Sequence, residues 1–119
     1  MNMQLVEVDP VARFRSEVLR TADRLRGLGA PGLALPGHAG VSIATAAHII
    51  GEAIVNQTAA LTGTAAPVLP RLADYAAGDQ LAVIGSELAD LAEEFGADTA
   101  AAEALSEISA QLVGLRRAT

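Results

Sequence analysis

The sequence predicts an all-α protein, a helical hairpin extended to a four-helix bundle with short loops, and three observations carry that expectation. Apolar residues recur at steps of three and four along four separate stretches, and nowhere at the step of two that a half-buried strand requires. The apolar residues are mostly Ala, with Leu, Val and Ile behind it and aromatics at only 3%, so the core has to be built from small aliphatic side chains, as close-packed helices are. Cap and breaker residues (Asp9, Gly63, Pro67, Pro70, Gly96 and Asp98) stand at the edges of the periodic stretches. At 119 residues the expectation is one domain, 1–119, large enough to bury a core but near the size at which a partner often completes one.

The first helix is expected over 9–28. Asp9 is a good N-cap, Pro10 suits the first helical position, and Val11, Phe14, Val18, Ala22 and Leu25 mark a narrow core face. Its arginines sit at pairing distances from acids, Glu17 with Arg13 and Arg20 and Asp23 with Arg26, which reads as a solvated charged face. "GLGAPGLALPGHAG" (27–40) then holds five Gly and two Pro, a density that ends the helix and makes a long connector. A second helix is expected over 41–62, with Ile43, Ala47, Ile50, Ile54 and Leu61 on one side. Ile49 and Val55 widen that face toward more than one neighbour, and Gly63 with Pro67 and Pro70 stops the helix.

A short helix is expected over 70–77, ended by Gly78 in a left-handed cap, after which Asp79 can cap the next. The last two helices, 79–95 and 98–116, carry two coiled-coil-like seams joined at Gly96. Leu81, Ile84, Leu88, Leu91 and Phe95 form one, and Ala101, Leu105, Ile108, Leu112 and Leu115 the other. Leu81, Ile84, Leu88, Leu91, Leu105, Ile108, Leu112 and Leu115 are therefore the expected contact residues for a partner, either a second copy of the chain or a related helical protein. Arg116 and Arg117 fall in the last turn, where positive charge suits the helix dipole.

All eight basic residues are Arg, which with the abundant Ala and Gly points to a GC-rich bacterial gene. Residues 1–40 hold five Arg against four acids, whereas 41–119 hold three against ten. So acidic a body argues against nucleic acid as a partner. Without Cys there is no disulfide framework, thiolate nucleophile or Cys-based zinc site. "MNMQLVEVDP" lacks the positive stretch and apolar run of a general secretory signal. The most apolar segment, "VSIATAAHIIGEAIVNQTAAL", is interrupted by His48, Glu52, Asn56 and Gln57 and reads as a buried helix of a soluble protein, with no stable membrane insertion.

Residues with the chemistry of catalysis are sparse. His48 and Glu52 stand one helical turn apart, half a metal site at most, and read as an ordinary polar pair; the other histidine, His38, lies in the connector. No Ser sits in a Gly-x-Ser-x-Gly elbow, no Gly-rich phosphate loop follows a strand, and Glu93 with Glu94 reads as a solvated face. The expectation is a protein that is not an enzyme and uses no metal or cofactor.

That leaves "YAAGD", residues 75–79, with the only tyrosine and a carboxylate four positions on. One reading is structural: Gly78 closes a helix, Asp79 caps the next, and Tyr75 rests its ring on a neighbour with its hydroxyl in water. The other is that Tyr75 and Asp79 form a short code read by a second protein. The opening "LVEVDPVARFRSEVLRTADRL" resembles the start of many small actinobacterial type VII secretion (ESX) substrates, in which Val-Asp-Pro leads into an Ala- and Leu-rich first helix. "YAAGD" is similar to the Tyr-x-x-x-Asp/Glu pattern those substrates carry after a helix-turn-helix hairpin. The resemblance covers about residues 3 to 79. It implies that Tyr75 and Asp79 are an export signal for the type VII machinery, and that the chain is made in the bacterial cytoplasm and secreted from it. The alternatives are a bacterial helical adaptor or oligomerisation protein without export, and a small helical enzyme with an unrecognised site.

Overall fold

The computed structural model describes residues 9–37 and 40–119. The stretch read for a secretory signal falls almost wholly outside them, as does His38. The elements are α1 (Pro10–Gly27), α2 (Ala30–Ala34), α3 (Ile43–Thr62), a 3-10 turn (Asp74–Ala76), α4 (Ala77–Phe95) and α5 (Thr99–Arg117), with no strand among the described residues. The fold is all-α, and its four long helices form a bundle.

The caps explain the boundaries. Asp9 accepts from the Val11 amide at 3.1 Å, Ser42 from Thr45 at 3.1 Å and Asp98 from Ala101 at 2.8 Å, each side-chain oxygen satisfying an amide that the first turn leaves unpaired. Gly63 ends α3 at φ 68°, a left-handed conformation that costs glycine nothing. The core faces of α1 and α5 are those the spacing predicts. Val11, Phe14, Val18, Ala22 and Leu25 are buried on one, and Ala101, Leu105, Ile108, Leu112 and Leu115 on the other.

The connectivity corrects the expected hairpin and short loops. α1 and α3 each pack against both α4 and α5, and hardly against each other. Arg26 near the end of α1 reaches Asp79 at the start of α4, and Arg15 reaches Asp90 and Glu93 near its end, so α1 and α4 run antiparallel. Residues 63–73 run back along α3: Leu69 lies over Gly51, Arg71 donates to Thr45 Oγ1 at 3.1 Å, and Gln80 of α4 donates to the Pro70 carbonyl at 2.9 Å. Extended, that segment spans up to about 36 Å, enough to retrace the roughly 30 Å of α3. α4 therefore starts at the same end of the bundle as α3 and lies parallel to it. Of the connections between the four long helices, only the one from α4 to α5, residues 96–98, is short.

Three local expectations are also corrected. The connector 27–40 contains α2, whose Leu33 is buried in the core. Residues 70–73 are not helical, and the expected short helix shrinks to the 3-10 turn. Gly78 is no left-handed cap and Asp79 caps nothing. Both lie inside α4, and an added Cβ at Gly78 would sit 2.8 Å from the Ala22 carbonyl oxygen, so Gly78 is there to let α4 approach α1.

The buried stripe of α4 is Gly78, Leu81, Gly85, Leu88 and Ala92, with Ala89 beside it. Phe95, expected on the seam, is 59% exposed. Small residues face α1, while Ile84 is turned to Gly51 of α3. Glu17, expected to pair along its own helix, reaches across to Arg116 of α5 at 2.7 Å, and Arg116 also donates to Thr21 Oγ1 at 3.0 Å. The approach makes an ion pair but is angled poorly for a hydrogen bond, so the buried Glu17 Oε1 accepts none. Asp23 pairs with Arg26 as expected, at 3.1 Å.

Candidate functional site at one end of the bundle

The 3-10 turn that carries Tyr75 is closed by the Ala76 amide donating to the Ala73 carbonyl at 2.9 Å, with Arg71 3.5 Å from Asp74 on its flank. It packs against α2 and the start of α4 at one end of the bundle. Tyr75 is 82% exposed, so its ring does not rest on a neighbour as the structural reading expected. Leu35 and Leu72, at the adjoining ends of α2 and the crossover, are exposed too. Asp79, in the first turn of α4, accepts from Arg26 Nε at 2.7 Å. That bond is the main reason the Arg26 guanidinium is held above its ordinary pKa, with Asp23 adding a smaller effect in the same direction. Glu93, then Asp90, does the same to Arg15. Both arginines are fixed positive charges on the α1/α4 edge.

The eight seam residues are placed otherwise than a partner would need. Leu81, Leu88, Leu105, Ile108, Leu112 and Leu115 are buried within the chain itself, and Ile84 and Leu91 are half-buried. The chain's own α1 and α3 occupy the surface that was expected to await a second protein.

His48 and Glu52 form the expected polar pair, Nε2 to Oε2 at 3.8 Å. His48 lies under residues 63–73 in a narrow cleft with Arg71, Asp74 and Gln80, and its buried Nδ1 has no hydrogen-bond partner among the described residues. Among the described residues, no three His, Asp or Glu side chains converge as metal ligands. No described helix is long and apolar enough to cross a membrane. Sequence reasoning missed an open apolar groove between α3 and α5, which includes the exposed Ile49. The apolar Ile49 standing off the main stripe of its helix was the available signal.

No protein-family model, no curated protein and no solved structure matches this chain.

Proposed function

We propose that this chain is a non-enzymatic helical protein that works through protein–protein contact, and that Tyr75 with Asp79 is an export signal read by a type VII secretion apparatus. The single observation behind the reading is the exposure of Tyr75: an aromatic ring left 82% in water at the bundle end contributes little to this fold and is available to another surface. The resemblance of "LVEVDP" and "YAAGD" to type VII substrates supplies the partner. On this reading the chain is made in the bacterial cytoplasm and secreted.

One observation favours a second reading, an adaptor or oligomerisation protein that is never exported. Asp79 already has a structural partner in Arg26, and Gly78 is required by packing, so two of the five residues have jobs inside the bundle.

The test separates the two. Tyr75→Ala should leave the unfolding free energy within about 0.5 kcal/mol of wild type, as at any exposed site, yet remove the protein from the culture supernatant of a strain with an active type VII system. Asp79→Asn, which keeps an acceptor for Arg26, should do the same. Export of both variants at the wild-type level, or retention of the wild type in the cell, gives the adaptor reading instead.

A further inference from the structure

Residues 63–73 run along α3 as neither helix nor strand, and within them stands "APVLPR", 66–71, with its two prolines three positions apart. Proline fixes its own φ at about −65° and pushes the residue before it out of the helical region, so Ala66, Pro67, Leu69 and Pro70 all favour the polyproline II conformation. The path fits. Thr64 Oγ1 lies 2.8 Å from Thr62 Oγ1 at the end of α3, and Leu69 lies over Gly51. The segment from Thr64 to Leu69 therefore covers the roughly 16 Å that α3 rises from Gly51 to Thr62, close to polyproline II's advance of about 3.1 Å per residue.

Three residues per turn set Leu69 and Leu72 on one face, Pro67 and Pro70 on a second, and Val68 with Arg71 on the third. The first face is turned to the bundle. Leu69 occupies the space that Gly51 leaves open, where an added Cβ would lie 2.9 Å from Leu69 Cδ2, and Leu72 lines the cleft over His48. Leu69 is the one residue of 63–73 that is even partly buried, whereas Val68 is 93% exposed. Among the described residues, 65–72 make no backbone–backbone hydrogen bond. The prolines serve the fold by stiffening a long connection. A valine left almost wholly in water between them contributes next to nothing to it.

A ridge of this kind is what aromatic-lined grooves bind, because rings pack on the proline faces and a strip already ordered loses little entropy on binding. A second copy of the chain cannot supply such a groove. It has no Trp, one Tyr and two Phe; Phe14 is buried, and Tyr75 and Phe95 stand at opposite ends of α4. Arg71 is engaged by Thr45 and Asp74, so recognition falls to Pro67, Val68 and Pro70.

We propose that Pro67, Val68 and Pro70 form a polyproline II docking strip, read by a second protein through a groove lined with aromatic rings. The strip is separate from Tyr75 and Asp79, and the proposal does not rest on export.

The probes are a panel of isolated SH3 and WW domains, each with a tryptophan in its groove, titrated with the full chain. Because the chain has no Trp, tryptophan fluorescence reports on the domain's groove alone. At least one domain of the panel should respond, and amide shifts in the ¹⁵N-labelled chain should cluster at Ala66, Val68, Leu69 and Arg71. Pro67→Ala and Pro70→Ala should each weaken binding at least about tenfold while keeping wild-type helicity. Val68→Asp, at a position the bundle does not cover, gives the same reading should a proline variant loosen the segment. The proposal is overturned if no domain of the panel binds, if the variants bind as the wild type does, or if the shifts centre on Tyr75 or on the α3/α5 groove. It is also overturned if a synthetic peptide of residues 63–74 binds and the full chain does not, since the folded chain would then be hiding the strip.

Discussion

At the α1/α4 interface an added Cβ on Gly85 would lie 2.5 Å from Val18 Cγ1, whereas at the α3/α5 interface one on Gly114 would meet none of the described residues within 4 Å. The first interface is closed by small residues, with Gly78, Gly85, Ala89 and Ala92 buried and Arg15 and Arg26 pairing with α4 along its edge. The second is open, with an exposed isoleucine and, among the described residues, a single glutamate at its lining. One residue type serves both, so a glycine in a helix carries no fixed meaning; what it does depends on what stands opposite. The chain completes its core on the α1 side of α4 and leaves unused apolar surface between α3 and α5.

The sharpest way to break this contrast is to place the same charge in each region. Leu88→Asp buries an unpaired carboxylate at a fully enclosed position, and should cost several kcal/mol, enough to unfold much of a marginally stable domain in urea titrations. Ile49→Asp, in the open groove, should stay within about 0.5 kcal/mol of wild type. A loss at Ile49 comparable to that at Leu88 would mean the groove is closed in solution.

A smaller effect is expected where α5 is fastened to α1. Glu17→Ala leaves Arg116 with Thr21 and the Glu17 position's carbonyl alone, and should lower stability by about 1–3 kcal/mol, less than for a wholly buried pair because both side chains keep some contact with water. Replacing both partners by Met should recover most of that loss in a double-mutant cycle.

The difference between the regions also explains what the sequence could reveal. The stripes of α1 and α5 were legible because their large apolar residues are the ones that are buried, and Asp9 and Asp98 mark where they start. α4 was misread because a search for large residues follows Leu81, Ile84, Leu88, Leu91 and Phe95, whereas burial centres on Gly78, Leu81, Gly85, Leu88 and Ala92. That second series keeps the same three-four step and was visible, had glycine been allowed as a core residue where backbones approach. The Glu17–Arg116 pair joins residues far apart in the chain, and no local spacing signals it. The parallel course of α3 and α4 follows from residues 63–73 retracing the helix, which their length and two prolines permit but do not demand. Of the end carrying Tyr75, the motif was legible and its surroundings were not, because Arg26 and α2 come from distant parts of the sequence.

The most direct measurement of the central claim, that the chain spends its close packing on α1/α4 and leaves α3/α5 open, is one substitution made at both glycines and followed by urea unfolding. Gly85→Ala should lose about 1–2 kcal/mol, since overpacking against Val18 outweighs the gain in helix propensity, and Val18→Ala in the same chain should relieve it. Gly114→Ala should gain up to about 1 kcal/mol, because the methyl enters open space and the helix loses a glycine. Opposite signs are the predicted result. A gain at Gly85, or a loss at Gly114, would contradict the account.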